Sequence, residues 1–430
     1  MTENSTAVPI DKPISFSDPE VQACPFVAYD KLRDECPVYK DPVTGHYVLT
    51  RYSDVRRTLI DHKRFSNNAN MLGRRENEAT PIIAKMLQDR GWPLRDSIQL
   101  LDEPEHRAKR SLIDKAFSHW SIQGLTPYIE QTIHELIDDI SARGECEFVS
   151  EFAVHLTMRV IANQLGVKHE DDEQFNRDAA RLRFWSDCAM EIISPTIPPA
   201  RELELTEHII DMQHFSVSNI QRLIAEPNDS LLSNLISVVR DENGEPDIPE
   251  LIILMRTILV AGNETTRFTL AAGIKTMIDQ PELQEQLRAD PALIDTFVEE
   301  VLRLRTPVQT LFRRAKEDVE IDGVLIPTGA RVEVRYGAAN RDPAEFADPT
   351  EVDFNRTGRQ HLAFGVGIHS CVGLQLAKAE LRAAFRLILE RLANLRMQDV
   401  PDAFGYAAIY TSYGLNHLKI AFDRRGPAGA

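Results

Sequence analysis

The stretch FGVGIHSCVG, residues 364–373, sets three glycines and a histidine around one cysteine and runs directly into a long helical pattern, LQLAKAELRAAFRLILERLANL. A cysteine that ligates a metal does so as the thiolate, which amide N–H groups and a helix N-terminus stabilise. Gly365 and Gly367 let the backbone curl at little steric cost, and Gly373 leaves room for a flat macrocycle against the helix start. Phe364 is placed to pack beside the sulfur and exclude water. A single cysteine on such a loop suits thiolate-ligated heme, where sulfur pushes electron density onto iron and favours O–O cleavage. A cysteine nucleophile would need a base instead, and simple space-filling is the ordinary role of a lone cysteine.

The other cysteines, Cys24, Cys36, Cys146 and Cys188, are scattered without CxxC spacing, which signals neither a disulfide framework nor a structural zinc site. All four are expected to be ordinary buried thiols. The chain has 430 residues, 43% hydrophobic and 27% charged, enough apolar material for a large core. No Ser/Gly-rich or charge-run linker marks a boundary, so one domain over 1–430 is expected. A formal net charge of −17 argues against nucleic acid, which needs a surplus of Lys and Arg facing phosphates. MTENSTAVPIDKPISF lacks the basic and apolar regions of a signal peptide. The most apolar run, LIILMRTILVAG, carries Arg256 and falls short of the roughly 18 residues of a membrane span. A cytoplasmic location and no membrane span are expected.

Periodicity gives a mainly α fold with a small β part. Two β-rich runs flank DPVTG, residues 41–45, and a helical pattern follows. In YIEQTIHELIDDISARG, residues 128–144, Ile129, Ile133, Leu136 and Ile137 share one face and Gly144 marks the stop. Residues 247–280 read as a helix of roughly 30 residues, about 45 Å long. Asp247 is its cap, Pro249 lies in its first turn and Pro281 lies just past its end. Apolar on nearly every side, it is expected to be buried. A further helix covers about 291–304, and VEIDGVLIPTGARVEVRYG, residues 319–337, reads as a hairpin turning at Asp322 and Gly323 plus another strand.

The middle of the long helix, AGNETT (261–266), breaks its own rule. Glycine inside a helix costs about 1 kcal/mol against alanine, and a buried carboxylate is costly unless satisfied. Gly262 beside Glu264 and Thr265 offers space for a small ligand and a proton relay. The plain alternatives are that Glu264 faces solvent or pairs with an arginine, and that Gly262 only admits a neighbouring element. EVLR, residues 300–303, puts Glu300 and Arg303 three apart on a helix, a spacing common among surface ion pairs.

These segments together resemble the cytochrome P450 family. FGVGIHSCVG matches its heme signature F-x-x-G-x-x-x-C-x-G through Phe364, Gly367, Cys371 and Gly373. AGNETT is similar to the A-G-x-[D/E]-T-T oxygen-binding groove, EVLR to E-x-x-R, and EPEHRAKR, residues 103–110, to PPEHxxxR. The order and spacing follow the family over almost the whole chain, with Glu264 where the family often has Asp.

The resemblance implies a P450 fold with heme b (iron protoporphyrin IX) between the long helix and the Cys-loop helix. Cys371 would be the thiolate ligand. His106, Arg110, Arg313 and His369 match positions that hold the propionates, a task for charged donors; without the motif, His106 and Arg110 read as an exposed helix pair. Ala261 and Gly262 would make room for O2, and Glu264 and Thr265 would pass protons to it. Glu300, Arg303 and Arg356 of DFNR would fix the fold behind the heme. Leu259, Val308, Thr310, Leu311 and Ile409 are placed by family topology around the substrate, against plain core packing as the alternative. Mostly apolar, they suit a hydrophobic terpenoid, steroid or aromatic, and GNETTR is similar to members acting on sterols and terpenoids. SNNANMLGRR (66–75) and RFWSDCAMEIIS (183–194) are further segments that could lend a polar handle.

The expected activity is monooxygenation with O2. The chain has no GxGxxG after a strand for a nucleotide, which implies a ferredoxin and ferredoxin reductase fed by NAD(P)H. Lys109, Arg359 and Lys378 are candidates for the basic patch an acidic ferredoxin needs. An H2O2-driven peroxygenase would not need the Glu264 and Thr265 relay, and a non-catalytic heme-thiolate sensor would have no use for it.

Overall fold

The computed structural model describes residues 13–68, 77–119, 122–167, 172–192, 197–356 and 360–425. By internal contacts the chain divides into two compact units, each assembled from separated segments: one of residues 1–69, 129–154 and 265–430, the other of 70–128 and 155–264.

The first unit carries the β part. Its main sheet orders Val38–Lys40, Tyr47–Leu49, Arg331–Arg335, Thr310–Ala315 and Phe65–Ser66. All pairs are antiparallel except Tyr47–Leu49 with Arg331–Arg335. The two runs flanking DPVTG thus pair with each other as the alternation predicts, Val38 opposite Leu49. Asp322 and Gly323, both at positive φ, turn the Val319–Ile321 and Val324–Ile326 hairpin, the backbone that a two-residue type I′ turn requires. Leu49, Val55, Phe65, Ile321, Val332, Val334 and Phe346 close into one apolar core.

That core also encloses charge. Glu333 and Arg335, on the same strand, are ion-paired out of contact with water. Tyr410 donates to Glu333, His46 Nδ1 lies 2.8 Å from the same carboxylate, and the Arg335 guanidinium lies 3.7 Å from the centre of the Phe16 ring. A buried ion pair holds best when its remaining polar atoms find partners; here the Glu333 carboxylate is ringed by donors, while Arg335 Nε has no hydrogen-bond partner among the described residues.

The second unit is helical. It contains Thr80–Arg90, Glu105–His119, Asp172–Glu191, Pro199–Ala225 and Leu231–Val238. Thr80–Arg90 packs on Pro199–Ala225, where Arg90 pairs with Glu207 and Gln213 bonds both the Trp92 N–H and its carbonyl.

The long helix runs Ile248–Asp279. Asp247 caps it, its carboxylate accepting from the Glu250 N–H at 3.2 Å, and Pro281 opens the next helix, Pro281–Ala289. Three element boundaries differ from the sequence expectation. The helix carrying Ile129, Ile133, Leu136 and Ile137, all buried, starts earlier, at Ile122, with Pro127 tolerated in its second turn. The helix expected over about 291–304 is Leu293–Leu304. The last helix stops at Arg391 rather than Leu395, because Leu392–Met397 pairs as a strand with Leu415–Arg424. Among the described residues no helix is long and apolar enough to cross a membrane.

Candidate active site

The cysteine loop is built as its glycines suggest. Gly365 and Gly367 hold φ of 65° and 82°, a region that favours glycine, and a Cβ on Gly367 would lie 3.1 Å from the Leu59 carbonyl oxygen. The curl returns the chain on itself. Cys371 N–H donates to the Phe364 carbonyl at 2.9 Å, and Ser370 N–H donates to that of Gly367 at 3.1 Å. Gly373 then caps Leu374–Arg391, so the thiol stands at the positive end of an 18-residue helix.

Cys371 is exposed. Around it Phe364, Val366, Ile368, Val372, Leu374 and Leu376 are all only half-buried. A Cβ on Gly373 would meet nothing within 4 Å but the Cys371 sulfur, 3.9 Å away. An open apolar surface centred on a sulfur donor fits a flat, largely apolar macrocycle with a metal at its centre, so the residues present fit a heme. Cys146 and Cys188 are buried, and burial pushes both thiols up. The expectation that four cysteines are buried fails for Cys24 and Cys36, exposed where they cap the C-terminal ends of short helices.

The Phe364 ring does more than border the sulfur. It lies 6.0 Å from the His361 ring, with the Lys378 ammonium 5.5 Å from its centre. His361 and Lys378 both bond Glu299, at 3.1 and 2.5 Å. The Glu299 carboxyl is pushed up by burial, but these two donors outweigh that and draw it down to about 2. Together they line a cleft of about 310 Å³ beside the loop. The sequence reading missed this cluster, since its members are spread over three elements.

Glu300 and Arg303 are no surface pair. Arg303 is 1% exposed and grips Glu300 with two bonds of 2.8 Å, and Arg356 adds a third at 3.0 Å. Arg303 also donates to the carbonyls of Asn340, Pro349 and Glu351, tying down the segment that precedes the cysteine loop. Arg313 is buried on Thr310–Ala315 and bonds the Phe312 carbonyl at 2.8 Å, while His369 is half-buried on the loop itself. Of the apolar candidates in this unit, Thr310 is enclosed, Val308 and Ile409 are half-buried and Leu311 is 41% exposed.

In the second unit, His106 and Arg110 lie one turn apart on Glu105–His119. His106 is 3% exposed, which excludes the exposed-pair reading for it, and burial, followed by the Arg110 charge, lowers its pKa. Arg110 bonds Asp114 at 2.9 Å. The long helix has an open face at its middle: Ala261 is exposed, and Arg256, Thr257, Ile258, Val260, Gly262 and Thr265 keep part of their surface. Leu259 is 1% exposed and packed as core, while Thr257 and Val260 keep accessible surface. Gly262 does admit a neighbour: a Cβ there would lie 3.1 Å from Ile161 Cδ1, and the adjacent Asn263 accepts from Thr157 at 2.9 Å. Glu264 is 6% exposed, not solvent-facing.

The expected basic patch is already neutralised in part. Lys109 pairs with Glu250 at 2.7 Å and Lys378 with Glu299, while Arg359 lies outside the described residues. Most of SNNANMLGRR also lies outside them, as do the last two residues of RFWSDCAMEIIS, whose Trp185 is buried against Phe215.

The comparisons agree with this geometry. Residues 44–405 match the family model described as Cytochrome P450. Pentalenic acid synthase of Streptomyces avermitilis is 32% identical over 98% of this chain and 100% of its own length. A steroid C26-monooxygenase of Mycobacterium tuberculosis is 29% identical, covering 94% of each. The solved structure of cytochrome P450 CYP109Q5 from Chondromyces apiculatus superposes with a TM-score of 0.81 at 28% identity, covering 96% of this chain and 98% of that one. With the family signature intact around an exposed cysteine, and the match running through most of its length, the chain belongs to the cytochrome P450 family of heme-dependent monooxygenases.

Proposed function

We propose that residues 1–430 form one catalytic domain that hydroxylates a hydrophobic small molecule of terpenoid, steroid or aromatic type, with electrons from a ferredoxin and its NAD(P)H-linked reductase. The observation that carries this reading is the Cys371 thiol, open at a helix start amid half-covered apolar side chains. Two relatives, one named for pentalenic acid and one for a steroid, support a lipophilic substrate.

When bound, heme supplies O2 activation: one oxygen atom enters a C–H bond and the other leaves as water, consuming two electrons and two protons. The protein does the rest. Cys371 Sγ would ligate the iron, on a backbone fixed by the Cys371 N–H bond to the Phe364 carbonyl and by the helix that follows. His106, Arg110, Arg313 and His369 would hold the propionates, and Phe364 and Gly373 would border the macrocycle. Ala261 and Gly262 would make room for O2. The Glu264 carboxyl takes up protons and hands them to the Thr265 hydroxyl, which presents one to the oxygen site. Thr257, Val260, Val308, Leu311 and Ile409 contact the substrate, and Glu300, Arg303 and Arg356 keep the loop in place.

The reduced carbon monoxide adduct tests the ligand: the wild type is expected to show the absorbance of thiolate ligation, and Cys371→His that of histidine ligation. A wild-type adduct of the histidine type rejects the assignment. In the same preparation Thr265→Ala is expected to divert most of the consumed NAD(P)H to peroxide; product formed in full yield would remove Thr265 from the relay.

A further inference from the structure

The reaction scheme leaves Arg256, on the long helix, without a task. It is the ninth residue of Ile248–Asp279, with Leu254, Met255 and Leu259 all buried beside it. The other arginines sunk deepest in the protein are matched: Arg303 by Glu300, Arg335 by Glu333. Arg256 has no carboxylate, carbonyl or hydroxyl partner among the described residues. Burial acts on its guanidinium unopposed and lowers its pKa.

The side chain is nevertheless not sealed. It sits deep among protein atoms yet keeps part of its surface open, and both hold at once for a group that borders internal space. It also falls on the open stretch of the helix. Arg256 and Val260 are one turn apart, as are Thr257 and Ala261, and all four retain accessible surface. An unpaired cation in a poorly solvated place is costly unless an anion arrives. The cost is tolerated where it serves a site.

We propose that Arg256 is the anchor for a carboxylate on the substrate, which makes the substrate a lipophilic acid. The inference rests on the monooxygenase reading above and narrows its substrate. The guanidinium fork matches a carboxylate with two parallel bonds, and the Thr257 hydroxyl beside it can donate a third. A phosphate dianion would call for a second cation, and none of the neighbouring open positions, 257, 258, 260 and 261, supplies one. Along the helix, Arg256 precedes Ala261 by about 7.5 Å and Thr265 by about 13.5 Å, at 1.5 Å per residue. A carboxylate held there would lie on the order of 10 Å along the helix axis from the Ala261 and Thr265 positions, a span for the hydrocarbon body of the acid.

Two measurements test this on the heme-loaded enzyme, after its reduced carbon monoxide adduct has shown thiolate ligation. Failure of that first spectrum would count against the monooxygenase reading and not against Arg256. First, dodecanoic acid and cholanic acid are titrated against their methyl esters, following the spin-state shift in absorbance. At least one acid is expected to bind about 10- to 100-fold tighter than its ester, the range for a hydrogen bond to a charged group. Arg256→Gln is expected to erase that preference while leaving the ester's affinity in place, and Arg256→Lys to keep part of it. Equal binding of acid and ester, no response to either acid, or a preference that survives Arg256→Gln would overturn the proposal. Second, Arg256→Leu is expected to melt higher than the wild type without ligand. A lower melting point would mean that the guanidinium has a partner within the protein, and would overturn it as well.

Discussion

Glu380 shows what an unsatisfied charge does when it serves no site. It is buried on Leu374–Arg391, and its Oε2 has no hydrogen-bond partner among the described residues. Burial alone raises its carboxyl well above the ordinary range. The folded protein therefore holds the proton that the unfolded chain releases. The stability Glu380 contributes is complete below the ordinary carboxylate pKa and is lost as pH rises through the raised one. Glu380→Gln, which carries no such proton, is expected to be more stable than the wild type at neutral pH by roughly 1–3 kcal/mol, the usual cost of an unmet buried polar group. The gain should vanish in acid, below the ordinary carboxylate range. Denaturant titrations at the two pH values decide it, and a gain equal at both would assign the effect to packing. No rule of sequence reading flags Glu380: AKAEL is an unremarkable helical run, and only the packing of other elements over it removes the water.

At the scale of elements, Leu293–Leu304 and Leu374–Arg391 are joined by Glu299 to Lys378 at 2.5 Å and Asp295 to Arg382 at 2.7 Å. Glu299, held down to about 2, works in the opposite sense to Glu380. Its stabilisation is present above the ordinary carboxylate pKa and is lost as pH falls toward 2. The carboxylate is 38% exposed, so solvent screening limits the effect to about 1 kcal/mol. Glu299→Gln is expected to be less stable than the wild type at neutral pH and equal to it near pH 2, with a smaller difference in high salt. Acid unfolding curves that stay parallel would show that the pair contributes nothing. Elements with a strong local signature, such as the Asp247-capped helix and the Asp322–Gly323 hairpin, could be read from the chain. The last helix was overrun by four residues because Leu392 to Leu395 keep a helical period, and only pairing with Leu415–Arg424 makes them a strand.

For the whole molecule, the sequence carried most where one local stretch does one job. The cysteine loop needs glycines at 365 and 367, and both adopt the backbone their presence implied. The Glu300, Arg303 and Arg356 grouping needed the family resemblance, since E-x-x-R spacing by itself reads as a surface pair, and burial makes it one of the most enclosed clusters in the chain. Glu333 with Arg335, Tyr410 and His46 could not be read at all, because three separate segments meet there. Arg256 was noticed only as the residue that disqualifies a membrane span, and its lack of a counter-ion is a property of the fold.

The five thiols differ in access, and labelling can report which of them the prosthetic group covers. An alkylating reagent such as iodoacetamide is expected to label Cys24, Cys36 and Cys371 in the folded apoprotein and to spare Cys146 and Cys188. After hemin is added, peptide mass spectrometry should find Cys371 alone newly shielded. Labelling of Cys371 that is unchanged by hemin would leave the sulfur outside the coordination sphere.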